Sequence, residues 1–155
     1  MKTFALVVAL TAGFFGPHAL AAGSVPFRAA IDTAIVPLGP CGPTCLMLSI
    51  SGAGEALHLG RTTIDGPSRI DFATGAQTGE STLTAADGST LTISFHGGFF
   101  PGPGAGDASF SGTWTVLSGT RRFEGASGDG LYHGSASGSS GILHMQGTLS
   151  NPGRR

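Results

Sequence analysis

The sequence predicts an all-β domain, a small antiparallel barrel of eight strands, with a β-sandwich as the alternative. Three observations carry this. Apolar residues alternate with Ser and Thr in segment after segment, as in Leu91, Ile93 and Phe95 against Thr92, Ser94 and His96. A period of two with one apolar face marks strands that bury one side and wet the other. Next, 27 of the 155 residues are Gly, against a usual share of about 7%. Many fall inside the alternating segments, where barrels use glycine to bend strands. Finally, only 11% of residues are charged and Lys2 is the only lysine. Open sheets protect their edges with lysine, so its lack favours closure. A sustained helical period is missing beyond residue 22.

Length allows one domain. The low charge excludes a coiled coil and a charge-driven disordered chain. A formal net charge of −1 leaves no basic footprint for nucleic acid.

Residues 1–21 read as a secretory signal peptide: Lys2 supplies the positive start, residues 4–15 the apolar run, and Ala19-Leu20-Ala21 the cleavage site. The run is too short for a good membrane span, which needs about 20 apolar residues. The expectation is a secreted or periplasmic protein cut near Ala21, without a stable membrane anchor. Residues 22–150 then form the β domain and residues 151–155 a frayed tail.

The elements come in this order. Residues 25–38 carry Phe27, Ala29 and Ile31 in one phase. A Pro-rich bend, PLGPCGPTC, leads to a second strand with Leu46, Leu48 and Ile50 in phase. Gly52 and Gly54 read as a bulge. Residues 61–72 are extended and broken at Gly66-Pro67, and residues 81–85 form a short strand. Asp87-Gly88 is a hairpin signal, because both positions tolerate positive φ. The strand through Phe95 comes next, then PGPGAG as a mouth or flap loop. Phe110, Gly112, Trp114 and Val116 share the next strand's apolar phase. Phe123, among Arg121, Arg122 and Glu124, reads as a plug for one barrel end. A weaker strand over residues 131–137 and a last one through Leu143, Met145 and Leu149 complete the set.

Four stretches carry a resemblance: PFRA at residues 26–29, GAGEALHLGRTT at 52–63, STLTAADGSTLTISFHG at 81–97 and FSGTWTVLSGTRRFEGASGDG at 110–130. They resemble small exported bacterial proteins similar to the allene oxide cyclase barrel and dirigent-protein superfamily. HLGRTT matches the pattern H-L-G-R-[FT]-T, and SGTRRFEGASG is similar to G-G-T-G-R-F-x-G-A-x-G. Ser118 and Arg121 stand where that pattern has Gly. The resemblance implies a small eight-stranded antiparallel barrel. In that superfamily some plant members cyclise an epoxide fatty acid and others steer phenoxy-radical coupling. No catalytic residue of either group matches a position here, and a shared fold does not transmit function.

Cys41 and Cys45, in C-G-P-T-C, are expected to pair as a structural disulfide in an exported chain. Redox and metal roles are the alternatives. His96 and His144 fall opposite the apolar phase and read as surface histidines. Metal-ligand spacing and cofactor fingerprints are both missing. Neither a metal nor a cofactor is expected. Glu55 and Arg61 share the parity of Leu57 and Leu59, so they are expected to point inward, as an ion pair or as ligand contacts. A turn at Gly60 would reset the parity of Arg61. Tyr132 is the third candidate for a ligand site.

Three functions remain open. The first is a non-catalytic binding or scaffold barrel for a small hydrophobic ligand. The second, implied by the resemblance, is a cyclase or isomerase acting on a hydrophobic molecule. The third is an extracellular structural or surface-interaction protein. Whether the lumen is open or filled separates them.

Overall fold

The computed structural model describes residues 23–150. The expected signal peptide, its cleavage site at Ala21 and the tail from residue 151 lie outside the described residues.

Eight antiparallel strands succeed one another around a closed barrel, each paired with its sequence neighbour. They are β1 (Ser24–Gly42), β2 (Cys45–Ala56), β3 (Gly60–Asp71), β4 (Ala76–Ala85), β5 (Thr90–Pro101), β6 (Ala108–Gly119), β7 (Ser127–Ser137) and β8 (Ser140–Ser150). A single 3-10 turn, Arg121–Phe123, separates β6 from β7. The ladder between β1 and β8, from Ser24↔Ser150 to Ala34↔Ser140, closes the ring. The sandwich alternative is thereby excluded.

Several elements differ from the sequence reading for definite reasons. β1 runs on through the Pro-rich bend to Gly42, past the end of its ladder with β8. Its ladder with β2 shifts register at Pro37/Gly39 and at Pro40/Gly42. Proline lacks the N–H that a regular ladder needs, so it belongs at bulges and edges. Gly52 and Gly54 form no bulge: they pair in unbroken register with Thr33 and Ile31. In the β4–β5 turn Gly88 takes φ +76°, while Asp87 serves as a cap, accepting the Ser89 backbone N–H at 2.9 Å.

The glycines inside strands sit where adjacent backbones come very close. Gly97 and Gly112 face each other across β5 and β6. A Cβ on Gly97 would lie 2.1 Å from the Ser111 carbonyl oxygen, and one on Gly112 would lie 2.2 Å from that of His96. No side chain fits there, so these glycines serve to bend the sheet.

One half of the lumen is filled. Phe27, Leu83, Leu91, Phe123 and Leu149 pack there, all at 2% exposure or less. Phe123 is the plug expected from sequence. Arg122 holds it in place. Its guanidinium lies 4.5 Å from the Phe123 ring centre and donates to the carbonyls of His58 at 2.9 Å and Leu59 at 3.3 Å. Arg122 Nε also stands 2.8 Å from Asp87 Oδ2. That N–H is not aimed at the oxygen, so the contact is one of charge. The Ser89 backbone N–H, with the Arg122 charge as a smaller cause, holds the Asp87 carboxyl below its usual range. Arg121 adopts φ +54°, the left-handed backbone that favours glycine.

Gly97→Ala is expected to cost more than about 4 kcal/mol, because the new methyl displaces a ladder strand. Gly60→Ala, at φ +71° with open space around its Cβ, is expected to cost about 1 kcal/mol. Urea unfolding of both variants measures the difference.

Candidate ligand site

The other half of the lumen is open. It forms a cavity of about 320 Å³ that reaches the end of the barrel carrying the β1–β2, β3–β4, β5–β6 and β7–β8 connections. The value falls at the low end of small-molecule pockets, about 300–1,000 Å³. Trp114 forms its floor. The indole packs edge-on against Phe27 of the filled half, 5.3 Å between ring centres, and its Nε1–H donates to the Leu131 carbonyl at 3.1 Å. That bond removes the floor's one polar atom from the cavity.

The walls are inward-facing aliphatic and aromatic residues, for example Leu48, Ile70, Phe95 and Leu143. Among the described residues no Asp, Glu, Lys, Arg or His lines the cavity. The polar side chains that do are Thr33, Gln77, Ser81, Ser139 and Tyr132. Two polar groups of the wall, Tyr132 and Gln77, are linked to each other and to the buried Ser68. Tyr132 Oη donates to Gln77 Oε1 at 3.1 Å, and Gln77 Nε2 donates to Ser68 Oγ at 3.3 Å. Both bonds are buried. Phe95 and Phe110 flank the Tyr132 ring, with centres 5.7 Å and 6.4 Å away, and fix its direction. Burial pushes the Tyr132 phenol up to about 12, so it is neutral at physiological pH. Its oxygen keeps spare acceptor capacity for a guest in the cavity.

The PGPGAG loop borders the mouth, as expected. Residues Gly106 and Gly138 line the cavity there, and the Gly138 N–H donates to the Gly106 carbonyl at 3.1 Å. Ser137 Oγ donates to Asp107 Oδ1 at 2.8 Å. These bonds pin the loop to the β7–β8 turn. Of the Phe99-Phe100 pair, Phe99 lines the cavity while Phe100 is exposed. Phe99 meets Phe72 edge-on at 6.0 Å. The rim is therefore apolar as well.

The sequence-predicted residues divide sharply. Tyr132 lines the cavity. Glu55 and Arg61 do not: both are exposed on the outer face, opposite each other in the β2–β3 ladder. The inward expectation for them is corrected by the turn at residues 57–59. His58 there takes φ +72°, so the buried Leu59 belongs to the turn and does not mark the inward phase of either strand. Leu59 is buried while Leu57 is exposed, and the true inward phase runs through Ala56, Thr62 and Ile64. Cys41 and Cys45 are joined as a disulfide, with Cα atoms 5.0 Å apart. His96 and His144 are exposed. His144 stacks on His133 at 5.2 Å between ring centres. Among the described residues no cluster of three or more His, Cys, Asp or Glu is placed to hold a metal ion.

Sequence reasoning missed Gln77 and Ser68. The signal for both was parity. Ser68 is in phase with Ile64 and Ile70 of β3, and Gln77 is in phase with Ser81 and Leu83 once β4 is extended back to Ala76.

No family model matches the chain. No curated protein matches it in sequence. Among solved structures, the chain is similar in fold to a pterocarpan synthase dirigent protein, with a TM-score of 0.59 over 89% of this chain and 98% of that one at 13% identity. The likeness shows a shared barrel fold.

Tyr132 is the only tyrosine, so phenolate absorbance reports it alone. Its pKa is expected at about 12 in the folded barrel and near 10.0 in the unfolded chain. The folded protein holds its proton more tightly, so this stabilising effect is whole below pH 10 and is lost between about pH 10 and 12. A titration in native buffer and in denaturant measures both midpoints. A native midpoint near 10 would contradict the buried placement.

Proposed function

We propose that this protein is a binding barrel for one small, uncharged and mostly apolar molecule that carries a single hydrogen-bonding group. The observation behind this reading is the open cavity itself, apolar on nearly every side with one neutral polar corner at Tyr132 and Gln77. A charged ligand would find no partner there, and an unpaired buried charge is expensive. An apolar body gains from leaving water at about 25 cal/mol per Å². The polar corner selects orientation, because a hydroxyl left unbonded against Tyr132 loses about 1 kcal/mol or more.

In the same proposal the barrel acts outside the cytoplasm, after loss of residues 1–21. The signal-like N-terminus supports this. So does the Cys41–Cys45 disulfide, a bond that persists in oxidising compartments.

A second reading, a cyclase or isomerase, is favoured by the similar structure being named a pterocarpan synthase dirigent protein. In that reading the lumen guides a reaction by holding one conformer of an apolar substrate. Tyr132 then serves as a neutral hydrogen-bonding group rather than as a base.

Trp114 is the only tryptophan and lies in the cavity floor, so its fluorescence reports occupancy. A medium-chain alcohol is expected to bind at least about tenfold more tightly than the carboxylate of equal length. Ala108→Phe, which fills the mouth, is expected to weaken alcohol binding by about tenfold or more while the barrel stays folded. Tyr132→Phe is expected to weaken the alcohol about fivefold and leave the matching alkane unchanged. Equal binding of alcohol and carboxylate, or full binding by the Ala108→Phe variant, would refute the proposal.

A further inference from the structure

The end of the β1–β2 hairpin contains chemistry that the cavity does not use. Cys41 is exposed and Cys45 is buried. Arg69 of β3 directs its Nε–H at the Cys45 Sγ, 2.9 Å away. Among the described residues the one ion pair within 4.0 Å is Arg122 with Asp87, so Arg69 is not neutralised by a carboxylate in contact. The nearest acid in the ladder, Asp71, faces Cys45 across β2 and β3. Its carboxylate accepts from Thr44 Oγ1 at 3.1 Å and from the Ala73 N–H at 2.9 Å, and it feels the Arg69 charge as a smaller influence without forming an ion pair with it. The two sulfurs therefore differ. One is open to attack, and the other sits beside a cation.

We propose that the Cys41–Cys45 pair is a thiol-exchange site for low-molecular-weight thiols of the glutathione class, with Arg69 holding the Cys45 sulfur as the leaving thiolate. The incoming thiolate attacks Cys41 Sγ and forms a new S–S bond to it. The Cys41–Cys45 bond breaks, and its electron pair leaves on Cys45 Sγ. A cation next to a sulfur favours its thiolate form, and a better leaving thiolate departs faster. A second thiolate then attacks the bound thiol's sulfur, releases the small disulfide and frees Cys41 as a thiolate that takes a proton from water. Two small thiols are oxidised to one disulfide while the protein disulfide is reduced to a dithiol.

The surroundings tolerate the reduced state. The bond spans a sequence separation of only four, and short loops gain least from cross-linking. It also lies beyond the ladder that closes the barrel, since β8 reaches only to Ala34 of β1. Opening it leaves the ring of strands intact.

The test equilibrates the full chain in mixtures of reduced and oxidised glutathione, then counts alkylated thiols by mass spectrometry. The expected result is a dithiol fraction that tracks the mixture, with the trapped glutathione adduct on Cys41. Arg69→Gln is expected to slow exchange about tenfold, and Arg69→Lys to restore most of the rate. Thiolate absorbance in the Cys41→Ser variant should show the Cys45 thiol titrating higher when Arg69→Gln is added. A disulfide that stays oxidised in every mixture, an adduct on Cys45, or an Arg69→Gln variant that exchanges as fast as the wild type would overturn the proposal.

Discussion

The rest of the structure depends on one steric constraint: the large rings in the lumen stand opposite glycines. Phe95 faces Gly79, Phe110 faces Gly134 and Trp114 faces Gly130 across their ladders. A Cβ on Gly79 would come within 2.5 Å of the Phe95 ring, and one on Gly134 within 2.4 Å of the Phe110 ring. A Cβ on Gly147 would lie 2.8 Å from the Trp114 indole. Small residues on one strand thus make room for large ones on the next. Aromatic cover over a strand glycine also removes the weakness that glycine brings to a sheet. The ring closes tightly because of these pairs, and they set the position of Trp114.

Trp114 then divides the lumen. On one side Phe27 and Phe123 fill the space, and Arg122 ties three connections together over the plug. On the other side the strands carry Ile and Leu, with Ala at 108 and 136 near the mouth, and the volume stays open. The two ends have different duties. The plugged end holds the salt contact and the left-handed Arg121, and it fixes the barrel. The open end holds the overhang of β1, whose outer edge lacks a β8 partner beyond residue 34. Pro37 and Pro40 lie in that overhang. A proline offers no N–H to a neighbouring chain, so the edge is blunted without lysine.

The fold was legible because period-two alternation survives wherever a strand is regular. It identified the β6 phase through Trp114, the Phe123 plug and the mouth loop. The Gly-rich motifs pointed to the same barrel, and their position at bends and plug explains why they speak to fold. The site was legible only in Tyr132. Ser68 and Gln77 were hidden because a polar residue in an apolar phase looks like a break in a strand, and Gly66-Pro67 strengthened that impression. Glu55 and Arg61 were misplaced because parity was taken from the turn residues Leu57 and Leu59. The inward phase stays on the even-numbered residues before and after the turn, through Ala56 and Thr62. The buried Leu59, next to His58 with its positive φ, belongs to the turn rather than to either strand.

The outward placement of Glu55 and Arg61 bears on how the lumen works. Turned inward, they would have put two charges into a space lined mostly by apolar groups and otherwise only by neutral polar ones, each requiring a partner to offset its lost hydration. The barrel instead builds its polar corner from a phenol, an amide and a hydroxyl. Such groups satisfy one another at small cost while the cavity is empty, and the Tyr132 oxygen can accept one more bond when it is filled. The same physics raises the Tyr132 pKa, since the corner is dry enough to penalise a phenolate. The scarcity of charge in the sequence therefore has a structural counterpart. Closure removes the need for charged edges, and a neutral corner removes the need for charges within.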